Sequence, residues 1–134
     1  MYLGIDYGKK RIGLAVGAII PKPIEPIKNT GDIVFVVEEI YKIIQKYEID
    51  KVVLGLPYRS QGEEGTTAPE IKKFAQYLEE KAGIEIIFEP EQFTTSEATM
   101  MLERQGKKFD GRSGEIDSIA AAIILEQYIN SQSG

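Results

Sequence analysis

The chain has 134 residues with no cysteine and no histidine, and its formal net charge at pH 7 is −5. These numbers predict one domain over residues 1–134 and exclude disulfide bonds, His/Cys zinc sites, and Ser-His-Asp or Cys-His catalysis. Acid–base chemistry near neutral pH would have to use carboxylates, lysine, tyrosine or a metal-bound water, which favours oxygen-ligated ions such as Mg²⁺ or Mn²⁺.

The sequence predicts a cytoplasmic protein with no membrane segment. No apolar run approaches the roughly 20 residues that a membrane-spanning helix requires, and the N-terminus enters a strand pattern instead of a signal-peptide pattern. The acidic balance argues mildly against nucleic-acid binding. However, residues 1–60 carry nine Lys/Arg against seven Asp/Glu, whereas residues 61–134 carry seven against fourteen. A basic face within an acidic protein is therefore possible.

The first three predicted elements are strands. YLGIDY and RIGLAVG are joined by a short GKK turn, which predicts a β-hairpin. Gly4 and Asp6 share one face of the first strand. Small residues from Gly13 to Gly17 line one face of the second strand and would let a bulky element lie against it. A third strand falls around residues 24–28, where prolines indicate an edge strand.

Beyond the third strand, helices and strands alternate. Helical spacing runs over about 32–47, KVVLGL follows as a buried parallel strand, and capping-box spacing opens a second helix over 67–82. IEIIFE (84–89) is the fifth strand, a second capping box opens a helix over 94–105, and an apolar helix over 115–129 should pack against the sheet. The order βββαβαβαα predicts an α/β fold with a five-stranded mixed sheet, antiparallel in β1–β3 and then parallel, with helices on both faces.

Carboxylates stand where ligands of such sheets usually bind, beyond the carboxyl ends of parallel strands. Asp6 lies at the end of the first predicted strand, and Glu89 and Glu91 follow the fifth. A carboxylate in such a place is hydrogen-bonded, paired with a cation or bound to a metal. From the residues alone, Asp6 is equally well explained as a turn aspartate that accepts hydrogen bonds from backbone amides.

Four segments, GIDYGKKRIGLAVG, VVLGLPYRSQGEEG, FEPEQFTTSEA and IDSIAAAIILEQYI, cover most of the chain, in an order and spacing that resemble the YqgF family. This ribonuclease-H-like family is described both as Holliday-junction resolvases and as nucleases that mature the 16S ribosomal RNA precursor. The resemblance implies a ribonuclease-H-like fold and a hydrolase, a divalent-metal-dependent endonuclease. It also implies an acidic triad of Asp6, Glu91 and Asp117 that binds Mg²⁺ or Mn²⁺. Two ions roughly 3.5–4 Å apart can activate water and stabilise the leaving oxygen without any histidine.

Two members of this triad also have ordinary explanations. Asp117 would be favourable in the first turn of a helix because of the helix dipole. Glu91 could be an ordinary solvated glutamate of a loop. Glu89 and Glu97 also compete with it for the third position, and the register with the FTT segment selects Glu91.

Nine residues are candidates for substrate binding, because backbone amides and cations hold phosphate groups. The cations of the first turn could equally serve only to keep an exposed hairpin soluble. The candidates are Gly8, Lys9, Lys10, Arg11, Arg59, Thr95, Lys107, Lys108 and Arg112.

The sequence departs from the family pattern at four positions. Pro90 and Gln92 replace the usual aspartate and arginine around Glu91, Arg59 replaces an asparagine, and Glu115 replaces a basic residue. The missing arginine would have contacted phosphate or the acidic cluster, so activity or substrate choice could differ from that of the family.

The preferred prediction is a metal-dependent nuclease that acts on structured RNA or branched DNA. The 5′-end maturation of pre-16S rRNA, in ribosomal precursor particles, is favoured over junction resolution, and the sequence leaves monomer and homodimer open. One alternative is an ATP-dependent phosphotransferase, because Asp-x-Gly before a hairpin also begins the actin and sugar-kinase fold, although that fold needs a second domain. Another is a non-catalytic nucleic-acid-binding module.

Overall fold

The computed structural model describes residues 1–57, 68–91 and 113–133, without the side chains of Pro57, Glu91, residues 113–117 and Ser133. Its elements in these ranges are β1 (Tyr2–Tyr7), β2 (Arg11–Gly17), β3 (Lys22–Lys28), α1 (Ile33–Lys46), β4 (Lys51–Pro57), α2 (Ala68–Ala82), β5 (Glu85–Glu91) and α3 (Ser113–Ser133). The five strands form one sheet in the order β3-β2-β1-β4-β5. β1 pairs antiparallel with β2 and parallel with β4, so the predicted mixed sheet is confirmed.

The strands begin and end close to their predicted bounds, with one correction. β5 continues to Glu91, because β4 also continues and pairs Leu56 with Pro90 and Pro57 with Glu91. Glu89 and Glu91 therefore lie inside the strand, and the prediction that they follow it was wrong. Pro90 is tolerated because β5 is at the edge of the described sheet, where one side of the strand makes no ladder hydrogen bonds.

β3 is the other edge strand of this sheet, as its prolines predicted. It begins at Lys22, two residues before the predicted start, because Lys22 still pairs with Val16 of β2. The pairing between β2 and β3 shifts register between Ile12 and Leu14, which marks a β-bulge.

The helices keep their predicted order. Asp32 caps α1, with its Oδ1 accepting hydrogen bonds from the backbone N–H groups of Val34 and Phe35 at 3.1 and 3.3 Å. Gly83 ends α2 in the left-handed region at φ 61°, which glycine adopts without strain. The last helix, α3, is longer at both ends than predicted. The helix predicted over residues 94–105 lies outside the described residues.

The helices cover both faces of the sheet, as predicted. α1 and α2 pack against the face that carries Leu3 and Ile5 of β1, and these side chains are fully buried. α3 packs against the opposite face, where its residues Ile119, Ala121 and Ala122 form one buried cluster with Ala15 of β2. The small side chains predicted to admit a bulky element on this face do so for α3.

Candidate active site at the carboxyl end of the first strand

The helix α3 crosses the central strand β1 at Gly4 and runs in the opposite direction to it. A Cβ atom at Gly4 would lie 2.7 Å from the carbonyl oxygen of Ala121 and 2.9 Å from Cβ of Leu125. Towards the start of β1, the ring of Tyr2 meets the ring of Tyr128 edge to face, with centroids 5.9 Å apart. Because later helix residues meet earlier strand residues, the N-terminal part of α3 is directed towards the carboxyl end of β1.

This direction brings two of the predicted site residues to the same end of the sheet. Asp6 is two residues after Gly4 on the same face of β1, and its side chain is partly buried. Position 117 precedes Ala121 by four residues, which is one turn of an α-helix. The two-residue step from Gly4 to Asp6 covers about 7 Å along β1, and the helical turn from Ala121 back to position 117 covers about 5.4 Å in the same direction. The helix backbone at 117 therefore lies beside the part of β1 that carries Asp6.

The third predicted ligand lies on the second strand away from β1. β4 pairs Ile5 with its own Leu54, and one residue further this register sets Asp6 beside Gly55. Gly55 in turn pairs with Glu89, so Asp6 and Glu89 are in one row with no side chain between them and their Cα atoms about 10 Å apart. Glu91 is two residues further along β5, at its last position.

Glu89 shares the face of β5 that packs against α3, because Ile87, two residues earlier, contacts the cluster around Leu125 and Tyr128. Partial burial raises the pKa of the Glu89 carboxyl, since removal of water disfavours the charged form. A cation beside this carboxylate would offset that effect.

The turn between β1 and β2 is held by a residue that the sequence reasoning did not select. Gly8 donates its backbone N–H to the carbonyl of Arg11 at 3.1 Å, and a Cβ atom at Gly8 would lie 2.5 Å from that oxygen. Asn29 donates its side-chain amide to the carbonyl of Gly8 at 2.8 Å and its backbone N–H to the carbonyl of Lys10 at 2.9 Å. Its Oδ1 accepts from the N–H of Gly31 at 3.0 Å. An asparagine directly after a predicted strand is the only sequence signal for this role.

The cations of this turn border two clefts on the surface. A cleft of about 520 Å³ is lined by Lys9, Lys10, Arg11, Pro26, Ile27, Lys28 and Asn29. A neighbouring cleft of about 410 Å³ is lined by Tyr7, Lys9, Asn29, Gly31, Ile33, Glu70 and Lys73. Two cations that the sequence reasoning missed, Lys28 and Lys73, therefore lie in the same region as the predicted turn cations. They are far from that turn in sequence, and only the folded chain brings them there.

The remaining predicted site residues are not placed by the structure. Arg59, Thr95, Lys107, Lys108 and Arg112 lie outside the described residues.

The residues at this end of the sheet match a hard divalent cation in their chemistry. Asp6, Glu91 and Asp117 offer carboxylate oxygens, which Mg²⁺ and Mn²⁺ prefer, and the chain has no histidine or cysteine to attract zinc. Among the side chains that the structure describes, no group of three His, Cys, Asp or Glu residues comes together. The side chains of Glu91 and Asp117 are not in that set.

Comparison with known proteins connects this site to a family. A sequence model described as "RuvX: Holliday junction resolvase" matches residues 1–131. The chain belongs to the RuvX family. This family is also called YqgF, so the family membership expected from the four sequence segments is confirmed.

Curated relatives of this RuvX-family chain carry the name "Putative pre-16S rRNA nuclease". The protein of Sulfurihydrogenibium sp. (strain YO3AOP1) is 40% identical, and the match covers 96% of this chain and 88% of the relative. The protein of Shewanella oneidensis is 34% identical, with 98% and 95% covered. The protein of Lactococcus lactis subsp. cremoris (strain MG1363) is 33% identical, with 96% and 93% covered.

Solved structures with a similar fold are junction resolvases. Thermus thermophilus RuvC in complex with a Holliday junction substrate has a TM-score of 0.67 at 15% identity, covering 99% of this chain and 96% of that chain. The yeast mitochondrial Holliday junction resolvase Ydc2 has a TM-score of 0.60 at 10% identity, covering 98% and 78%. At these identities the likeness concerns the fold alone, and it confirms the predicted ribonuclease-H-like fold.

None of the described helices has both the length and the apolar character needed to cross a membrane.

Proposed function

We propose that this RuvX-family chain is a divalent-metal-dependent nuclease that hydrolyses phosphodiester bonds in structured nucleic acid, and that its substrate is the precursor of 16S rRNA, cut during 5′-end maturation in the cytoplasm. The observation that carries the proposal is the antiparallel crossing of α3 over Gly4, because it brings the N-terminal part of α3 to the end of β1 where Asp6 and the cationic turn lie. Membership of the RuvX family supports a nuclease activity, and the names of the curated relatives support precursor 16S rRNA as the substrate.

In this proposal Asp6, Glu91 and Asp117 hold Mg²⁺ or Mn²⁺, with two ions as the preferred number. When bound, the ions would lower the pKa of a water nucleophile and stabilise the charge on the leaving oxygen. The protein's own part is to keep three carboxylates ionised and fixed on separate elements. Asp6 is suited to this because β1 is the central strand, paired on both sides.

The cationic turn supplies the second part of the proposed mechanism. Lys9, Lys10, Arg11 and Lys28 would hold the phosphate backbone of the substrate. Gly8 donates its N–H to the carbonyl of Arg11, so its part would be to allow the tight turn that presents these cations. The turn is already ordered by Asn29, so binding does not have to order it first. Such contacts position a strand and carry no base specificity.

Holliday-junction resolution is the second candidate, because the matching family model is described by that activity. A junction has two equivalent strands to cut, so a resolvase should act as a symmetric dimer. Maturation of an RNA end makes no such demand. The oligomeric state in solution therefore bears on the choice of substrate. We do not propose the ATP-dependent phosphotransferase, because the family that the chain belongs to is a nuclease family.

The test is cleavage of two labelled substrates side by side, a precursor 16S rRNA fragment and a four-way DNA junction, in Mg²⁺, in Mn²⁺ and in EDTA. We expect metal-dependent cleavage of the RNA, lost in EDTA and reduced at least 100-fold in Asp6→Asn and Asp117→Asn, since each variant lacks a ligand charge. Asp50→Asn is the matched control, because Asp50 is exposed and pairs with the N-terminal ammonium at 3.5 Å, at the opposite end of β1.

Each outcome distinguishes between the candidates. If the protein is a dimer and cleaves the junction in preference to the RNA, its function is Holliday-junction resolution and not RNA maturation. Binding of RNA without cleavage in either metal, unchanged in Asp6→Asn, would contradict the nuclease and support the non-catalytic binding module.

A further inference from the structure

Ser118 has an unusual position for a polar side chain in this protein. It is 3% exposed, and among the residues described it is the one buried side chain that is not hydrophobic. Its Oγ donates a hydrogen bond to the carbonyl of Ile24 at 2.6 Å and accepts one from the backbone N–H of Leu14 at 3.4 Å. One hydroxyl on α3 therefore contacts the backbones of both β2 and β3.

The two backbone groups lie at the β-bulge of these strands. Ile12 pairs with Ile27, but two residues later Leu14 pairs with Ile24, so β3 carries one extra residue. A bulge interrupts the ladder and leaves backbone groups without their usual partners. Buried N–H and C=O groups without a partner are costly, and the hydroxyl of Ser118 supplies a partner to one group on each strand.

This contact is directional, whereas the contacts around it between α3 and the sheet are apolar. The side chains of α3 that meet the sheet, such as Ala121, Ala122 and Leu125, are apolar. The burial of apolar surface has no preferred direction, so by itself it fixes the position of a helix less sharply than a hydrogen bond does. A shift by one residue moves a helix 1.5 Å along its axis and rotates it by about 100°. The bridge from Ser118 to Leu14 and Ile24 excludes such a shift.

We propose that Ser118 is a positioning residue for Asp117, which precedes it directly. The bridge to the bulge fixes the axial and rotational position of α3 and so the position of its backbone at residue 117 relative to Asp6, on which binding of a shared metal ion would depend. This inference rests on the proposed metal-dependent nuclease. The position of α3 relative to the acidic site is thereby set by the bulge. Ser118 itself contacts neither metal nor substrate.

The test compares Ser118→Ala with wild type in three measurements at a temperature where both are folded by circular dichroism. Mn²⁺ affinity by isothermal titration calorimetry should fall about tenfold or more, as it does for residues that orient metal ligands. The value of kcat should fall at least about tenfold, with KM for the nucleic acid nearly unchanged, because phosphate contacts lie elsewhere. Hydrogen exchange at the Leu14 amide should become faster, which reports loss of the bridge directly.

Tyr128→Phe is the matched control. It also removes one hydroxyl from the buried side of α3, in this case one that accepts a hydrogen bond from Nζ of Lys51 at 3.3 Å. It lies eleven residues after position 117, about 16 Å along the helix. We expect this variant to lose stability but to keep Mn²⁺ affinity and kcat.

The outcomes separate this inference from the proposed function. If Ser118→Ala only lowers the melting temperature and leaves Mn²⁺ affinity and kcat at wild-type values, the positioning role is overturned. If wild type binds Mn²⁺ but cleaves neither substrate, the nuclease proposal fails while the titration still tests Ser118. Should Ser118→Ala not fold, Ser118→Cys keeps a weak donor and acceptor of similar size. Its Mn²⁺ affinity should then lie measurably below that of wild type, and an equal affinity would contradict the proposal.

Discussion

The side-chain amide of Asn29 donates a hydrogen bond of 2.8 Å to the carbonyl of Gly8, and this contact joins the end of β3 to the cationic turn between β1 and β2. Together with the backbone bond from Asn29 to Lys10, it fixes a turn whose two lysines are exposed. The turn is therefore ordered by a residue that carries no charge of its own. Its shape and its charge can be tested separately.

Removal of the Asn29 side chain should weaken nucleic-acid binding without changing the charge of the site. Asn29→Ala loses the hydrogen bonds to Gly8 and Gly31, each worth about 0.5–1.5 kcal/mol, so the free energy of unfolding should fall by about 1–3 kcal/mol in urea denaturation. Fluorescence anisotropy with labelled RNA in EDTA should show a dissociation constant about three- to tenfold higher, because binding must then order the turn. Thr30→Ala is the control, since its hydroxyl accepts a hydrogen bond from the backbone N–H of Asp32 and not from the turn. Equal affinities of Asn29→Ala and wild type would show that the turn needs no such support.

The charges of the cleft should appear in the salt dependence of binding. If Lys10 and Lys28 each contact a phosphate, Lys10→Gln and Lys28→Gln should each lower the salt dependence of binding. The slope of the logarithm of the binding constant against the logarithm of the salt concentration should become smaller by about 1, by similar amounts for different nucleic-acid sequences. Lys42→Gln is the control, because Lys42 is exposed on α1 and pairs with Glu39 at 3.7 Å. If Lys28→Gln keeps the wild-type slope, Lys28 does not contact the nucleic acid. The same result for Lys10→Gln would mean that the turn cations serve only solubility.

The close approach of α3 to β1 makes Gly4 a position where a single methyl group should be costly. In Gly4→Ala the new Cβ would lie 2.7 Å from a backbone oxygen of Ala121, so the helix has to move. We expect a loss of about 1–3 kcal/mol in the free energy of unfolding, as for other overpacked sites, and a fall in nuclease rate because α3 carries Asp117.

Gly83→Ala is the comparison for this prediction. Gly83 has a positive φ, so the substitution costs about 1–2 kcal/mol through backbone strain. Among the described residues, no atom other than those of its chain neighbours would lie within 4 Å of a Cβ at this position, so the substitution does not displace α3. Its nuclease rate should stay at the wild-type value at a temperature where it is folded. If both glycine variants lose the same fraction of activity, the effect of Gly4 is one of stability alone.

Two glutamates of β5 can be distinguished by the same substitution. Glu91→Gln should lower the cleavage rate at least 100-fold if Glu91 is a metal ligand, because one ligand charge is lost. Glu89→Gln should lower it less than tenfold, since Glu89 lies inside the strand beside Gly55 and the proposed triad does not use it. The measurement is single-turnover cleavage over a range of Mn²⁺ concentrations. The reverse order of effects would assign the third ligand to Glu89, which shares a row with Asp6.

Much of the fold could be predicted because local patterns and the tertiary structure agree. The alternation in YLGIDY, the helical spacing over residues 32–47 and the prolines of β3 are short-range signals, and each of these elements lies close to where it was expected. The end of β5 could not be predicted, because Pro90 is a poor strand residue by itself. Its place in the strand depends on β4, whose last two residues pair with Pro90 and Glu91.

The sequence alone determined which kinds of chemistry are available: without histidine and cysteine, carboxylates and cations are the groups that remain, and four segments in order carry the family resemblance. The tertiary structure alone decided how these groups are arranged. Three contacts show this: α3 crosses β1 at Gly4, Asn29 donates a hydrogen bond to the turn, and Ser118 bridges to the bulge. The residues in these contacts are from 21 to more than 100 positions apart in the sequence. No local pattern encodes such contacts, because each depends on the packing of elements that the intervening chain only connects.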